Sequence, residues 1–178
     1  MPIAVELIFD DDGNHAIKRY WDRLTDAGIP SLNTVENAIP HITLAVYNSI
    51  SDRQRIEAHI ADLSNGMKPF ELKFSHIGVF SVTDIPVFCA APMSETLIML
   101  NQKVHACCDE LSLSKWPYYQ LGQWIPHCTL AILEEISQAS RAVQLLVDGF
   151  EPFSVRVVGM SIAEFYPITY WGEWPFTI

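Results

Sequence analysis

The chain has 178 residues, of which 49% are hydrophobic and 18% charged, so it is long enough and apolar enough to fold around a substantial core. Its 21 acidic residues outnumber its 11 lysines and arginines, which gives a net charge of −10. Because phosphate contacts dominate the binding of long nucleic acids, proteins that hold them usually present a basic face. This composition disfavours extended nucleic-acid binding and leaves a small anionic substrate, or the end of a longer one, as the predicted partner.

The beginning of the chain predicts a first strand. The stretch "MPIAVELIFDDDG" has no basic residues ahead of its short apolar run, so we do not expect a signal peptide here. No stretch approaches the roughly 18 apolar residues that a membrane span needs, and we expect no membrane association. The four cysteines lack the spacing of a zinc ribbon or a disulfide scaffold, which favours reduced thiols and a cytoplasmic protein.

The first half of the chain is predicted to contain a strand, a helix, a long loop, a strand, a helix and a strand, in that order. "IAVELIFD" predicts the first strand, and the helix after it ends near Gly28. "AIPHITLAVY" predicts the second strand, and Ser51 can cap a helix that Gly66 can end. "KPFELKFSHIGVF" alternates apolar and polar residues like one further strand.

The second half repeats the same order of elements. "IPVFCAAP" predicts a strand, a helix follows from Ser94, and "WIPHCTLAIL" closely matches the histidine-bearing strand of the first half. Ser137 can cap the next helix, Gly149 can end it, and "EPFSVRVVGMSI" alternates as the last strand. The sequence therefore predicts an internal duplication, with repeat one at about residues 1–84 and repeat two at about residues 85–178.

The duplication predicts the fold class. We expect an α+β fold in which residues 1–178 form a single bilobal domain. The two lobes should be related by a pseudo-twofold axis, with mainly antiparallel sheets lining a central cleft and helices outside. The order in which the strands pair is not predicted.

Each repeated strand carries a histidine and a threonine two residues apart. Side chains alternate across a strand, so His41 and Thr43 share one face, as do His127 and Thr129. A pseudo-twofold axis would bring the two pairs together. In-line displacement at phosphorus needs a base on one side and an acid on the other, and imidazole can serve as either near neutrality. The two hydroxyls can donate to the non-bridging oxygens.

These motifs, "PHITLAV" and "PHCTLAI", resemble the paired H-x-T motifs of the two-histidine phosphoesterases, the superfamily of 2'-5' RNA ligase-like proteins and cyclic phosphodiesterases. The resemblance covers nearly the whole chain. It implies a bilobal α+β fold and cleavage of a 2',3'-cyclic phosphate or 2'-5' phosphodiester without a metal or other cofactor. It also implies His41 and His127 as catalytic residues, with Thr43 and Thr129 binding the phosphate.

One departure from the family concerns the residues after the second motif. The bacterial RNA ligases of the family commonly have a basic residue there, whereas this chain has Glu134 and Glu135. This difference argues against the 2'-5' RNA ligase alternative and against tRNA-sized substrates. We expect a monomer acting on a small nucleotide-like substrate or an RNA end.

Other interpretations remain open from the sequence. The site could hold a nucleotide without turning it over, or both histidines could be buried structural residues. A metal site is disfavoured, because Cys128 points away from His127 and no carboxylate lies at ligand spacing. The loop before the second motif carries four aromatic residues that can stack on a base or simply pack the loop. They are Trp116, Tyr118, Tyr119 and Trp124.

Overall fold

A computed structural model describes residues 1–177. Its strands are β1 (Ile3–Phe9), β2 (His41–Ile50), β3 (Phe70–Phe74), β4 (His76–Val79), β5 (Ile85–Ala90), β6 (Ser112–Lys115), β7 (His127–Leu133), β8 (Phe153–Glu164) and β9 (Thr169–Pro175). Its α-helices are α1 (Asp11–Asp26), α2 (Arg53–Asn65), α3 (Glu95–Cys108) and α4 (Ile136–Val147). Three short 3-10 helices lie in the connections.

The strands form two antiparallel sheets. The first has the order β3-β8-β1-β2-β6, and β9 pairs with the second half of β8. The second has the order β4-β5-β7. Buried apolar side chains from both sheets and from all four α-helices belong to one continuous core. The predicted α+β class with mainly antiparallel sheets is confirmed.

The two sheets are built on the same plan. The first strand of each repeat, β1 or β5, has the histidine strand of its own repeat on one side, β2 or β7. On the other side it has a strand from the C-terminal part of the other repeat, because β8 pairs with β1 and β4 pairs with β5. The repeats therefore exchange these strands, and the pseudo-twofold relation between the lobes is confirmed. The boundary near residue 84 stays a prediction.

The same irregularity occurs in both sheets beside the histidine motifs. The register shifts between Val5 and Glu6 in one pairing and between Val87 and Phe88 in the other. Each shift is a β-bulge, in which two residues of one strand stand opposite one residue of its partner. As a result Glu6 lies opposite Thr43, and Phe88 lies opposite Thr129.

The helices also cross between the repeats. Helix α1 contacts α4 and β7, whereas α3 contacts α2 and β2. The buried indole of Trp21 on α1 donates a hydrogen bond from Nε1 to the carbonyl oxygen of Thr129, at 3.2 Å. On α3, the buried amide of Asn101 donates from Nδ2 to the carbonyl oxygen of Leu44, at 2.9 Å. Each helix thus binds the motif strand of the other repeat.

Two predicted helix caps are wrong. Asp52, not Ser51, caps α2 and accepts a hydrogen bond from the main-chain N–H of Arg55 at 3.0 Å, since the helix begins one residue later than expected. The hydroxyl of Ser51 donates to the carbonyl oxygen of Leu111. Helix α4 begins at Ile136, ahead of Ser137, so that serine lies inside the helix. The predicted end of α2 at Gly66 is confirmed, and the helix predicted to follow from Ser94 begins at Glu95, with Ser94 as its cap.

The single strand predicted for "KPFELKFSHIGVF" is also wrong. This stretch forms β3 and β4, and the two lie in different sheets. Between them, Ser75 donates its main-chain N–H to the carbonyl oxygen of Ala90 at 2.9 Å. The chain changes sheets at this point because β3 extends the sheet of its own repeat while β4 completes the other sheet. Strands β6 and β9 were not predicted.

Candidate active site

Both motif histidines are held by the same kind of hydrogen bond. The Nδ1 atom of His41 lies 2.8 Å from the carbonyl oxygen of Ile39, and Nδ1 of His127 lies 2.6 Å from that of Ile125. A carbonyl oxygen can only accept, so Nδ1 carries the hydrogen in both rings. In each neutral ring the lone pair is therefore on Nε2. The sequence I-P-H, which occurs in both motifs, places the accepting carbonyl two residues before each ring.

The two imidazoles act on each other electrostatically. The pKa of His127 is lowered to about 4, chiefly because burial disfavours its charged form. The hydrogen bond to the Ile125 carbonyl opposes this shift, and the positive charge of His41 adds to it. Strands β2 and β7 contact each other, although they belong to different sheets. The structure thus brings His41 and His127 together, as the duplication predicted, and their chemical roles stay predictions.

The ring of His127 has aromatic neighbours. Its centroid lies 5.0 Å from that of Phe80, in an edge-to-face arrangement, and 4.9 Å from that of Phe88. Since Phe88 lies opposite Thr129 on the neighbouring strand, His127 and Thr129 are on the same face of the sheet. Burial by these rings explains why the charged form of His127 is disfavoured.

The ring of His41 has a carboxylate neighbour. Its Nε2 lies 3.4 Å from Oε1 of Glu6, an ion-pair distance. Glu6 is 3% exposed, and its Oε2 accepts a hydrogen bond of 3.1 Å from the hydroxyl of Ser161. Burial raises the pKa of Glu6, while His41 and the Ser161 hydrogen bond act in the opposite direction. Because Glu6 lies opposite Thr43, the side chains of His41 and Thr43 share this face.

Two tyrosines complete the surroundings of Glu6. Burial, with the negative charge of Glu6, raises the pKa of Tyr119 to about 12, although a hydrogen bond with Thr43 lowers it. Burial and the charge of Glu6 also raise the pKa of Tyr170. Both hydroxyls therefore keep their protons near neutrality and can donate hydrogen bonds. Thr43 is buried and Thr129 is half-buried, so the two predicted phosphate-binding residues differ in exposure.

The aromatic loop before the second motif is used mainly for packing. Trp124 is buried and donates from Nε1 to the carbonyl oxygen of Thr43 at 2.9 Å. Trp116 is half-buried and donates to Oδ1 of Asn48, while Tyr118 is 67% exposed. Tyr119 also lies beside Thr43. The open choice between stacking and packing is thus settled in favour of packing for Trp124.

Sequence reasoning missed Glu6, Ser161 and Tyr170. For Glu6 a signal was present, because it is a charged residue within the otherwise apolar strand "IAVELIF". When the first strands of the two repeats are aligned, Glu6 stands where the second repeat has Phe88. Ser161 and Tyr170 carried no comparable signal. Their strands lie near the site because of strand pairings that the sequence pattern does not predict.

Metal-binding clusters and membrane-spanning helices are both absent from residues 1–177. In this range no three His, Cys, Asp or Glu side chains come together in a way that could hold a metal ion. Over the same residues, no helix combines the length and apolar character that crossing a membrane would need.

The sequence profile of the 2'-5' RNA ligase superfamily matches residues 11–166, a segment that includes both histidine motifs. The chain belongs to this superfamily, and the resemblance to the two-histidine phosphoesterases is confirmed. No curated protein sequence matches the chain.

Solved structures share the fold along the whole chain. The protein TT0787 of Thermus thermophilus is similar with a TM-score of 0.71 at 17% identity, over 99% of this chain and 98% of that one. A structure described as a phosphoesterase gives 0.65 at 17% identity, with coverages of 99% and 98%. E. coli LigT complexed with NADP+ gives 0.63 at 16% identity, with coverages of 99% and 97%. At these identities the likeness establishes the fold.

Proposed function

We propose that this protein is a metal-independent phosphodiesterase that hydrolyses a 2',3'-cyclic phosphate or a 2'-5' phosphodiester. One observation carries the proposal. Two imidazoles from different repeats are brought together, and each is fixed by an Nδ1–H donated to a carbonyl oxygen, at 2.8 Å for His41 and 2.6 Å for His127. In both rings Nε2 is therefore the nitrogen that can exchange a proton with the substrate or water. Membership of the superfamily supports the same reaction class.

The reaction needs two proton transfers on opposite sides of the phosphorus. One Nε2 removes a proton from water as the water oxygen forms a bond to phosphorus, and the other Nε2 protonates the ribose oxygen as its bond to phosphorus breaks. The hydroxyls of Thr43 and Thr129 donate to the non-bridging oxygens, where negative charge develops. The product is a phosphomonoester, and the net reaction consumes one water.

Charge supports a small substrate or an RNA end. With 21 acidic residues against 11 lysines and arginines, the chain offers little attraction to a long polyphosphate backbone. A single phosphodiester that is bound by hydroxyls and imidazoles does not need a basic surface. Structures of LigT, which shares the fold, were obtained in complex with 3'-AMP and with phosphate. These observations favour a nucleotide-sized substrate, and we propose that a monomer acts on it in the cytoplasm.

The test is hydrolysis by the purified protein of 2',3'-cyclic nucleotides and of 2'-5'-linked dinucleotides, with the products separated by chromatography. We expect turnover of at least one of these substrates to a phosphomonoester. The double variant His41→Ala/His127→Ala, prepared in the same way, controls for contaminating nucleases. Saturable binding without turnover would replace the proposal with a nucleotide-binding module. Joining of a cyclic-phosphate end to a 5'-hydroxyl end, without hydrolysis, would indicate a ligase.

A further inference from the structure

The two histidines of the candidate site have different chemical neighbours at equivalent positions. Glu6 lies opposite Thr43, and Phe88 lies opposite Thr129, at matching bulges of the two sheets. His41 therefore has a buried carboxylate 3.4 Å from Nε2, whereas His127 has a phenyl ring with its centroid 4.9 Å away. The pseudo-symmetry of the fold is broken at the position where proton transfer is proposed.

The hydrogen-bonding capacity of each ring follows from these neighbours. The Ile39 carbonyl accepts from Nδ1 of His41, 2.8 Å away, and the Glu6 carboxylate lies at an ion-pair distance from Nε2. A carboxylate beside Nε2 favours the form of the ring in which both nitrogens carry hydrogen and the ring is positively charged. His127 has a carbonyl acceptor at Nδ1, while Phe80 and Phe88 pack on its ring. A ring in that environment is satisfied as the neutral form with a free lone pair on Nε2.

Glu6 is held in place from several elements. It belongs to β1, which lies between β2 and β8 in the first sheet, and Ser161 on β8 donates to its Oε2 at 3.1 Å. His41 faces it from β2, Tyr119 from the loop before β7, and Tyr170 from β9. The serine and the tyrosines carry no charge near neutrality. Protonated His41 is the group among these that can neutralise a buried Glu6 carboxylate, and its charge opposes the rise that burial causes in the pKa of Glu6.

We propose, on the basis of the phosphodiesterase function above, that Glu6 is a positioning residue that holds a proton on Nε2 of His41. His41 is then the general acid, and His127 is the general base. The Nε2 of His127 takes the proton of the attacking water, and the proton on Nε2 of His41 goes to the leaving ribose oxygen. Exchange with solvent afterwards returns a proton to His41 and removes one from His127, so the enzyme is restored.

The first test observes the protonation states directly and needs no turnover. Nitrogen-15 NMR of labelled histidine distinguishes imidazolium from each neutral tautomer. At about pH 6, above the pKa of His127 at about 4, we expect His41 to carry hydrogen on both nitrogens, because the Glu6 carboxylate lies beside its Nε2. His127 should be neutral with hydrogen on Nδ1. A neutral His41 at this pH, or a doubly protonated His127, would overturn the proposal.

The matched variant is Glu6→Gln, which removes the charge and keeps an oxygen that can accept from Ser161. We expect His41 in this variant to lose its Nε2 proton at a lower pH than in the parent protein, while His127 is unchanged. Glu71→Gln, on the exposed face of edge strand β3, is the control and should leave both rings unaltered. Identical behaviour of His41 in Glu6→Gln and in the parent protein would contradict the proposal.

The second test separates the role of Glu6 from the proposed function. In Glu6→Gln the alkaline limb of kcat/KM should move to lower pH, the acid limb should stay, and KM should change little. The loss of kcat at neutral pH should be smaller than the roughly 10²–10⁴-fold expected for removing a general acid. Glu6→Asp, which keeps the charge, should restore part of the alkaline limb. Absence of turnover in the parent protein refutes the phosphodiesterase, whereas an unshifted limb in an active Glu6→Gln refutes the role of Glu6.

Discussion

The indole Nε1 of Trp124 donates a hydrogen bond of 2.9 Å to the main-chain carbonyl oxygen of Thr43, which joins the loop of the second repeat to the motif strand of the first. The reciprocal bond runs from Trp21 of the first repeat to the carbonyl oxygen of Thr129, at 3.2 Å. Both tryptophans are buried. Each threonine of the candidate site is therefore held by a tryptophan from the other repeat.

The hydrogen bond from Trp124 predicts how much stability is lost when its donor is removed. Trp124→Phe leaves a buried carbonyl oxygen without its partner, which should cost about 1–3 kcal/mol in free energy of unfolding, with lost packing adding to it. Trp116→Phe is the control, because its Nε1 bonds Asn48 at the surface, and it should cost about 0.5 kcal/mol or less. Urea unfolding followed by circular dichroism measures both. Equal losses in the two variants would show that the Trp124 hydrogen bond is not what stabilises the loop.

Replacing the histidines tests their joint action. His41→Ala and His127→Ala should each lower kcat/KM by roughly 10²–10⁴-fold, the usual contribution of one positioned acid or base. The double variant should lose less than the product of the two, since groups that act in one step are not additive. His59→Ala, on helix α2 and away from both motifs, is the control. A His41→Ala protein with full activity on the best substrate would exclude the two-histidine mechanism.

The pH dependence should be asymmetric. A general base acts in its neutral form, and the pKa of His127 is lowered to about 4, so the acid limb of kcat/KM should lie near that pH. From the sequence alone, both limbs would be expected within a unit or two of neutrality. The measurement is kcat/KM against pH in buffers of constant ionic strength. Circular dichroism at each pH checks that the protein stays folded. An acid limb at the ordinary imidazole value would contradict the prediction that a His127 with a lowered pKa is the base.

The threonines should affect rate without moving the pH limbs. Thr43→Val and Thr129→Val remove one hydroxyl each at nearly constant volume, and each should lower kcat by up to about 10³-fold, because a donor to developing charge is lost. Neither hydroxyl titrates in this range, so the shape of the pH profile should persist. Thr43→Ser and Thr129→Ser retain the donor and should recover most of the rate. Failure of the serine variants to recover would point to a packing role.

Chelation tests the chemistry of the site. If the imidazoles and hydroxyls supply the acid, the base and the donors to the phosphate oxygens, then activity should survive dialysis against excess EDTA. The rate before and after dialysis, and after adding back magnesium, manganese or zinc, is the measurement. Loss of activity on chelation that a divalent ion restores would place the reaction in the class of metal-assisted hydrolysis.

The sequence predicted the features that follow from the internal duplication and from the alternation of apolar and polar residues. It did not predict the features that depend on which strands pair. The two H-x-T motifs predicted that His41 and His127 would lie in the same region, because a duplicated unit folds with pseudo-twofold symmetry. The exchange of β4 and β8 between the repeats was not predicted, since alternation specifies a strand and not its neighbour. Glu6 was missed for the same reason. The role of Glu6 depends on its position opposite Thr43. That register depends on a β-bulge, which no local sequence pattern predicts.

The pairing of β1 with β8 has a consequence for how the chain is made. Ile3 lies opposite Glu164, so the first sheet joins two segments that leave the ribosome at widely separated times. Until β8 has emerged, β1 has a free edge of unpaired main-chain groups, which can pair with another nascent chain. Contacts between such distant segments also slow folding. The first sheet, with Glu6 and His41 in it, is therefore completed after synthesis of the last strands, and slowing of translation near β8 would prolong the aggregation-prone interval.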